Sequence, residues 1–132
     1  MPSDYEIDEL QRLIRVTATG HLTDADFLEQ RVRLRDDPAF DRDFSFLVDL
    51  RAVTEVSLSA QVVARLARDP ISAPGVRRAL VFPPAGPGSD EPEPHAFGLG
   101  RVFQTIAALR GEDVEVFMHL GDAERWLAGG RD

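Results

Sequence analysis

Apolar and polar positions alternate from the start of the chain. Ile14, Val16 and Ala18 are spaced by polar neighbours within Leu13-Ile14-Arg15-Val16-Thr17-Ala18-Thr19, and a second short run, Tyr5-Glu6-Ile7-Asp8-Glu9-Leu10, precedes it across Gln11-Arg12. A two-residue period predicts a β-hairpin with one face toward a core. Gly20-His21-Leu22 reads as the break that ends the second strand. Thr23 followed by Asp26 is a capping-box start, so a helix is expected over 24–35, stopped by Asp37-Pro38. Phe44 to Leu50 is almost continuously apolar, which suits a central strand covered on both faces. A second helix over 59–68 gathers Val62, Val63, Leu66 and Ala67 on one side, and Asp69-Pro70 is its expected stop. A strand over 78–82 follows, then a helix over 96–110 with Leu99, Val102, Phe103 and Ile106 on one stripe and Gly111 at its end. A last strand over 114–118 leads to a short helix carrying Trp126 and Leu127, with Asp122 as its expected cap.

The resulting order, β-β-α-β-α-β-α-β-α, defines an α/β domain: an N-terminal hairpin, then alternating helices and parallel strands on a mixed, mostly parallel five-stranded sheet. Right-handed crossovers make every strand but the first run the same way, with helices covering both faces. At 132 residues the chain is expected to form one domain, 1–132. Within it, 83–95 is a proline-rich acidic loop, read as a functional or a mobile connection, and 129–132 is read as a flexible tail.

Charge and composition narrow the functional classes. The formal net charge is −8, from 15 Lys+Arg against 23 Asp+Glu, and every basic residue is arginine. An acidic surface with no basic stripe repels phosphate backbones, so no nucleic-acid partner is expected. There is no cysteine, which removes disulfides, thiolate metal sites and cysteine nucleophiles, and without lysine there is no Schiff-base or P-loop lysine chemistry. No window is apolar enough for a membrane span, the N-terminus lacks signal-peptide character, and a cytoplasmic location is expected. Gly98-Leu99-Gly100 lies inside a predicted helix and is no dinucleotide fingerprint. No cofactor and no metal are expected.

In an open α/β sheet, ligands meet the carboxyl ends of the strands. Those ends carry His21, Asp49 with Arg51, the proline loop and His119. Two imidazoles and a carboxylate are the right donors for proton transfer or metal binding, so an enzyme using His21, Asp49 and His119 is one reading, and it requires the three to converge. The plainer reading makes them loop and helix-start residues. Phe97 and Arg101 open the third helix beside the same edge, where Gly98 and Gly100 permit close backbone approach, Phe97 is placed to plug a groove, and Arg101 to meet either an anion or the loop acids Asp90, Glu91 and Glu93. Ser57 and Ser59 precede the second helix; one of them is expected to cap it, and both are candidate phosphoacceptors. On the first helix, Ala25, Leu28 and Val32 flank Arg31 and Arg35 on one side, and Phe27 and Leu34 on the other. Phe27, Arg31, Leu34 and Arg35 are therefore a candidate interface with a protein partner or a second copy in a homodimer, against the simpler reading of a broad core face with snorkelling arginines.

The hairpin, the turn Gly20-His21-Leu22-Thr23-Asp24, the strand end Leu47-Val48-Asp49-Leu50-Arg51-Ala52-Val53-Thr54, the segment Phe97-Gly98-Leu99-Gly100-Arg101-Val102-Phe103-Gln104 and the closing Ala123-Glu124-Arg125-Trp126-Leu127 resemble the SpoIIAA-like group of the STAS (sulfate transporter and anti-sigma-factor antagonist) superfamily. The resemblance covers about residues 4–128 and implies a STAS-like fold. It also implies a non-enzymatic regulatory or protein-interaction module. In anti-sigma-factor antagonists a phosphorylated serine lies in Asp-Ser-Ser-Gly; here Asp49-Leu50 match the preceding strand end, but the motif falls on Ser57-Leu58-Ser59-Ala60, with Leu58 at the phosphoacceptor position. The phosphoswitch motif is not intact. The group is further associated with SEC14-like lipid-binding domains, which implies a small apolar or lipid-like ligand as the alternative. That alternative requires an apolar cavity between helices and sheet, expected to be lined by Phe82, Phe97 and Phe103.

Overall fold

A computed structural model describes residues 3–68 and 71–129. Its elements are β1 (Ser3–Asp8), β2 (Leu13–Thr23), α1 (Asp24–Arg35), β3 (Ser45–Ser57), α2 (Ala60–Arg68), β4 (Arg77–Val81), α3 (Pro94–Leu109), β5 (Asp113–Phe117) and α4 (Leu120–Gly129). The sheet order is β1-β2-β3-β4-β5, with β1 antiparallel to β2 and the other pairs parallel. Each parallel strand is added on the same side of the last, so right-handed crossovers place α1, α2 and α3 on one face. Only α4, which follows the final strand, reaches the other. There Ala123 and Leu127 pack on Leu13, Leu47, Ala79 and Val81. On the opposite face Leu34 joins Ile14, Val16 and Phe46, and Ala107 joins Leu80, Phe82 and Val114.

Two strands are longer than their sequence pattern. β2 runs through Gly20 to Thr23, and β3 runs seven residues past Leu50 to Ser57. The register explains why. Thr17 and Thr19 pair with Asp49 and Ala52, and Gly20 and His21 with Val53 and Glu55, so β3 takes an extra residue at each of two bulges. The inward positions of β3 therefore step from Phe46, Val48 and Leu50 to Val53 and Val56. A period of two becomes a period of three, and the alternation that marks a strand disappears although the strand continues. Gly20 adopts φ +66, a left-handed conformation that glycine tolerates without a Cβ clash.

Helix starts follow local chemistry. The Thr23 hydroxyl accepts from the Asp26 backbone N–H at 3.3 Å, while the Asp26 carboxylate accepts from the Thr23 N–H at 2.9 Å, completing the expected capping box. α3 begins at Pro94, earlier than the apolar stripe predicted, because the Glu93 carboxylate accepts from the His95 and Ala96 N–H groups at 2.7 and 3.2 Å. The proline-rich connection is a hydrogen-bonded hairpin: Ala85 N–H donates to Glu91 O at 2.8 Å and Glu93 N–H to Pro83 O at 2.9 Å. Asp122 is not the cap of α4; it lies in the first turn, paired with Arg125, and the helix opens at Leu120, where His119 O accepts from Ala123 N–H. The Asp69-Pro70 stop and residues 130–132 of the expected tail lie outside the described residues, and Gly129 belongs to α4.

Candidate functional site

Past the end of β4, which stops opposite Asp49, β2 and β3 continue as a two-stranded ribbon. α1 and α2 both start from the tip of that ribbon and are tied there by the Ser59 N–H donating to Asp24 Oδ1 at 2.8 Å. α2 buries Val63 and Ala67 and lies chiefly along α3, not down on the sheet. A gap is left beneath the helices. It is a cavity of about 180 Å³ with Val16, Val48, Leu50 and Leu80 as floor, Leu22, Val53 and Val56 from the ribbon, Phe27 and Leu34 from α1, Val63 and Leu66 from α2, and Leu99 and Phe103 from α3. Typical small-molecule sites hold roughly 300–1,000 Å³, while a dry apolar cavity of about 150 Å³ already admits benzene. The size here suits a small or slender ligand.

Among the described lining residues the polar ones are Gln30, Arg31 and Arg78. Gln30 is buried and committed to the chain start: its amide donates to Ser3 Oγ and, at 3.3 Å, to Asp4 O. Arg78 shares the inward face of β4 with Leu80, and Phe82, just past the end of the strand, packs beside Leu80. Its guanidinium carbon lies 4.6 Å from the Phe46 ring centroid and 5.5 Å from that of Phe103. Nη1 donates to Glu112 Oε1 at 3.0 Å and Nη2 to Ser72 Oγ. Burial pushes the Arg78 pKa down, and the charge and hydrogen bond of Glu112 oppose that shift. The second carboxylate oxygen of Glu112 is buried, makes no hydrogen bond, and lies 3.5 Å from Arg110 Nε. One fully buried carboxylate therefore serves two guanidiniums. Arg78 and Glu112 were missed as site residues in the sequence; the available signal was strand parity, which sets Arg78 on the same face as Leu80.

The predicted edge residues are dispersed. Asp49 and Arg51 project to the α4 side of the sheet, where Arg51 Nε and Nη2 each donate to the Asp49 carboxylate at 2.9 Å. Burial raises the Asp49 pKa, but the side-chain and backbone hydrogen bonds and the charge of Arg51 outweigh it, and the carboxyl titrates below its usual range. Arg51 is raised in turn, chiefly by its hydrogen bond to Asp49. His21 is exposed on the ribbon, with Nε2 at 2.7 Å from Ser57 Oγ and 3.7 Å from Glu55. Asp49 sits opposite Thr17, four residues of β2 from His21, a separation of about 13 Å along the strand. His119 lies beyond the end of β5, two strands from β3. The structure does not bring His21, Asp49 and His119 together, and among the described residues no group of His, Asp or Glu is placed to hold a metal ion.

Ser59 caps α2, its Oγ accepting from the Val62 N–H at 3.1 Å, while Ser57 is exposed and bonded to His21. Of the expected cavity residues, Phe82 and Phe103 line the wall. Phe97 does not plug it: the ring packs edge-on against Phe82 at 6.0 Å from outside, 38% exposed, with the Arg101 guanidinium 5.9 Å from its centroid. The candidate interface residues of α1 divide between the cavity and the solvent. Leu34 is buried and Phe27, Arg31 and Leu34 line the cavity, so this flank faces inward because α1 must cover the ribbon. Arg35 is exposed beside Asp36, and the large apolar residue left in solvent on α1 is Val32.

Comparison of the chain with protein-family models, with curated proteins and with solved structures finds no match. Among the described residues no helix is long and apolar enough to cross a membrane. The class that the fold itself defines is α/β, with four helices on a five-stranded mixed sheet among the described residues.

Proposed function

We propose that the chain is a STAS-like module that works by binding rather than catalysis, and that it holds a small apolar ligand between the sheet and α1, α2 and α3. The cavity of about 180 Å³, walled almost entirely by aliphatic and aromatic side chains, carries this reading. Empty, it forgoes the contacts that a close-packed interior supplies. Occupied, it offers a ligand those contacts without displacing well-bound water. The residue resemblance to the SpoIIAA-like group supports the same assignment, since fold alone leaves function open. Ligand-free and ligand-filled forms would then be the two states that a regulatory module presents to a protein partner.

Titration with the neutral fluorophore N-phenyl-1-naphthylamine tests the reading. Saturable enhancement at one site per chain is expected, with Val48→Phe, which fills the floor of the cavity, abolishing it while the fold is retained by circular dichroism. Non-saturable emission, or saturation that Val48→Phe leaves unchanged, overturns it.

A further inference from the structure

Among the described residues that line this otherwise apolar cavity, Arg78 is a buried cation. Arg78 is held inside the apolar wall between the Phe46 and Phe103 rings. Its counter-charge, Glu112, stands behind it and is divided with Arg110. A guanidinium offers five donors, so the bonds from Nη1 to Glu112 and from Nη2 to Ser72 do not exhaust it. A cation in such surroundings is only partly compensated, and an anion reaching it through apolar walls meets little competition from water.

We propose that the ligand is an anionic amphiphile, a medium-chain monocarboxylic acid whose carboxylate is received by Arg78 and whose chain lies along the sheet toward Phe82 and Val53. This rests on the reading of the cavity as a ligand site. Arg78 on β4 and Phe82 just past its end, where the Phe82 N–H still donates to Phe117 O, are four residues apart, about 13 Å of extended chain, which matches roughly ten carbons. The walls along that line are Val48, Leu50, Leu80 and Leu99, none with a polar group to meet a second head.

Displacement of N-phenyl-1-naphthylamine by decanoate and by 1-decanol separates the two claims, because the molecules share a chain and differ in charge. Decanoate is expected to displace at a concentration at least about tenfold lower than 1-decanol, the scale of a hydrogen bond to a charged group. In the double variant Arg78→Met/Glu112→Gln, which removes the buried charge pair together, the two are expected to fall within about twofold. Equal displacement by both compounds in the wild-type chain overturns the carboxylate assignment and leaves the apolar site standing. A preference that survives unchanged in the folded double variant overturns the role of Arg78. Failure of the fluorophore and both compounds to bind overturns the cavity reading as well.

Discussion

The ring of Phe82 is seated against the backbone of Gly100, so closely that a Cβ at position 100 would stand 2.1 Å from Phe82 Cζ. Both residues line the cavity, and Phe82 is 1% exposed. Glycine here trades helix propensity for the approach of α3 to β4. Gly100→Ala regains about 1 kcal/mol of propensity but forces a buried ring to shift, an overpacking cost of about 1–3 kcal/mol. The open side of the ring is the cavity. The variant is therefore expected to lose up to about 2 kcal/mol by urea denaturation and to bind the naphthylamine probe more weakly than the wild type. Gly98, whose Cβ would meet nothing within 4 Å, is the control: Gly98→Ala is expected to be neutral or stabilising.

Ser57 and Ser59 look equivalent in the sequence and are separated by their partners. Ser59 satisfies the Val62 N–H and ties α2 to Asp24, whereas Ser57 bonds His21 on the exposed ribbon. Ser59→Ala is expected to cost about 1 kcal/mol, the usual scale of a lost helix cap, and Ser57→Ala to lie within about 0.5 kcal/mol of wild type. Thermal unfolding of the two variants decides this, and the reverse ranking would reassign the cap.

The architecture was legible because most of it is local. The alternation around Val16, the capping box of Thr23 and Asp26, and the apolar run from Phe44 set the element order and strand directions. What stayed hidden depends on pairing between distant segments. The bulges in β3 exist only relative to β2, so the change from Leu50 to Val53 to Val56 reads in isolation as the end of a strand. The inward face of α1 was ambiguous because its apolar residues spread around the wheel, and the choice of Phe27 and Leu34 over Val32 came from the ribbon they cover. The cavity arises from where α2 stops short of the sheet, a distance no periodicity encodes. Arg78 and Glu112 are 34 residues apart, and their pairing follows from the adjacency of β4 and β5.

The Asp49–Arg51 pair predicts a specific acid response. The Asp49 carboxyl titrates lower in the folded chain than in the unfolded one. Its stabilisation is thus fully present above the unfolded carboxylate range and is lost as the pH falls through the depressed folded value. Asp49→Asn is expected to cost about 0.5 kcal/mol near pH 7, as suits a partly exposed pair, and nothing once both carboxyl forms are protonated. Melting curves of the two proteins from pH 7 to pH 2 should converge at the acid end. A gap that stays constant with pH would show that the aspartate acts through shape and not through charge.

The buried ion pair makes the strongest prediction, because its two members are worth little together and much apart. Glu112 is fully buried and Arg78 nearly so, and Arg78 Nη1 donates to Glu112 Oε1 at 3.0 Å within largely apolar surroundings. Removing Arg78 alone leaves Glu112 with the half-exposed Arg110 at 3.5 Å as its compensation. Loss of one partner of a buried pair typically costs about 3–5 kcal/mol, whereas apolar or neutral replacement of both is often neutral. Arg78→Met and Glu112→Gln are therefore each expected to be strongly destabilised in urea, and the double variant to recover most of the loss. The coupling between the two should reach about 2 kcal/mol or more, well above what distant residues show. Additive losses would mean that Phe46, Phe103 and Ser72, not Glu112, hold Arg78 in the wall, and the electrostatic account of the cavity would have to be rebuilt on those contacts.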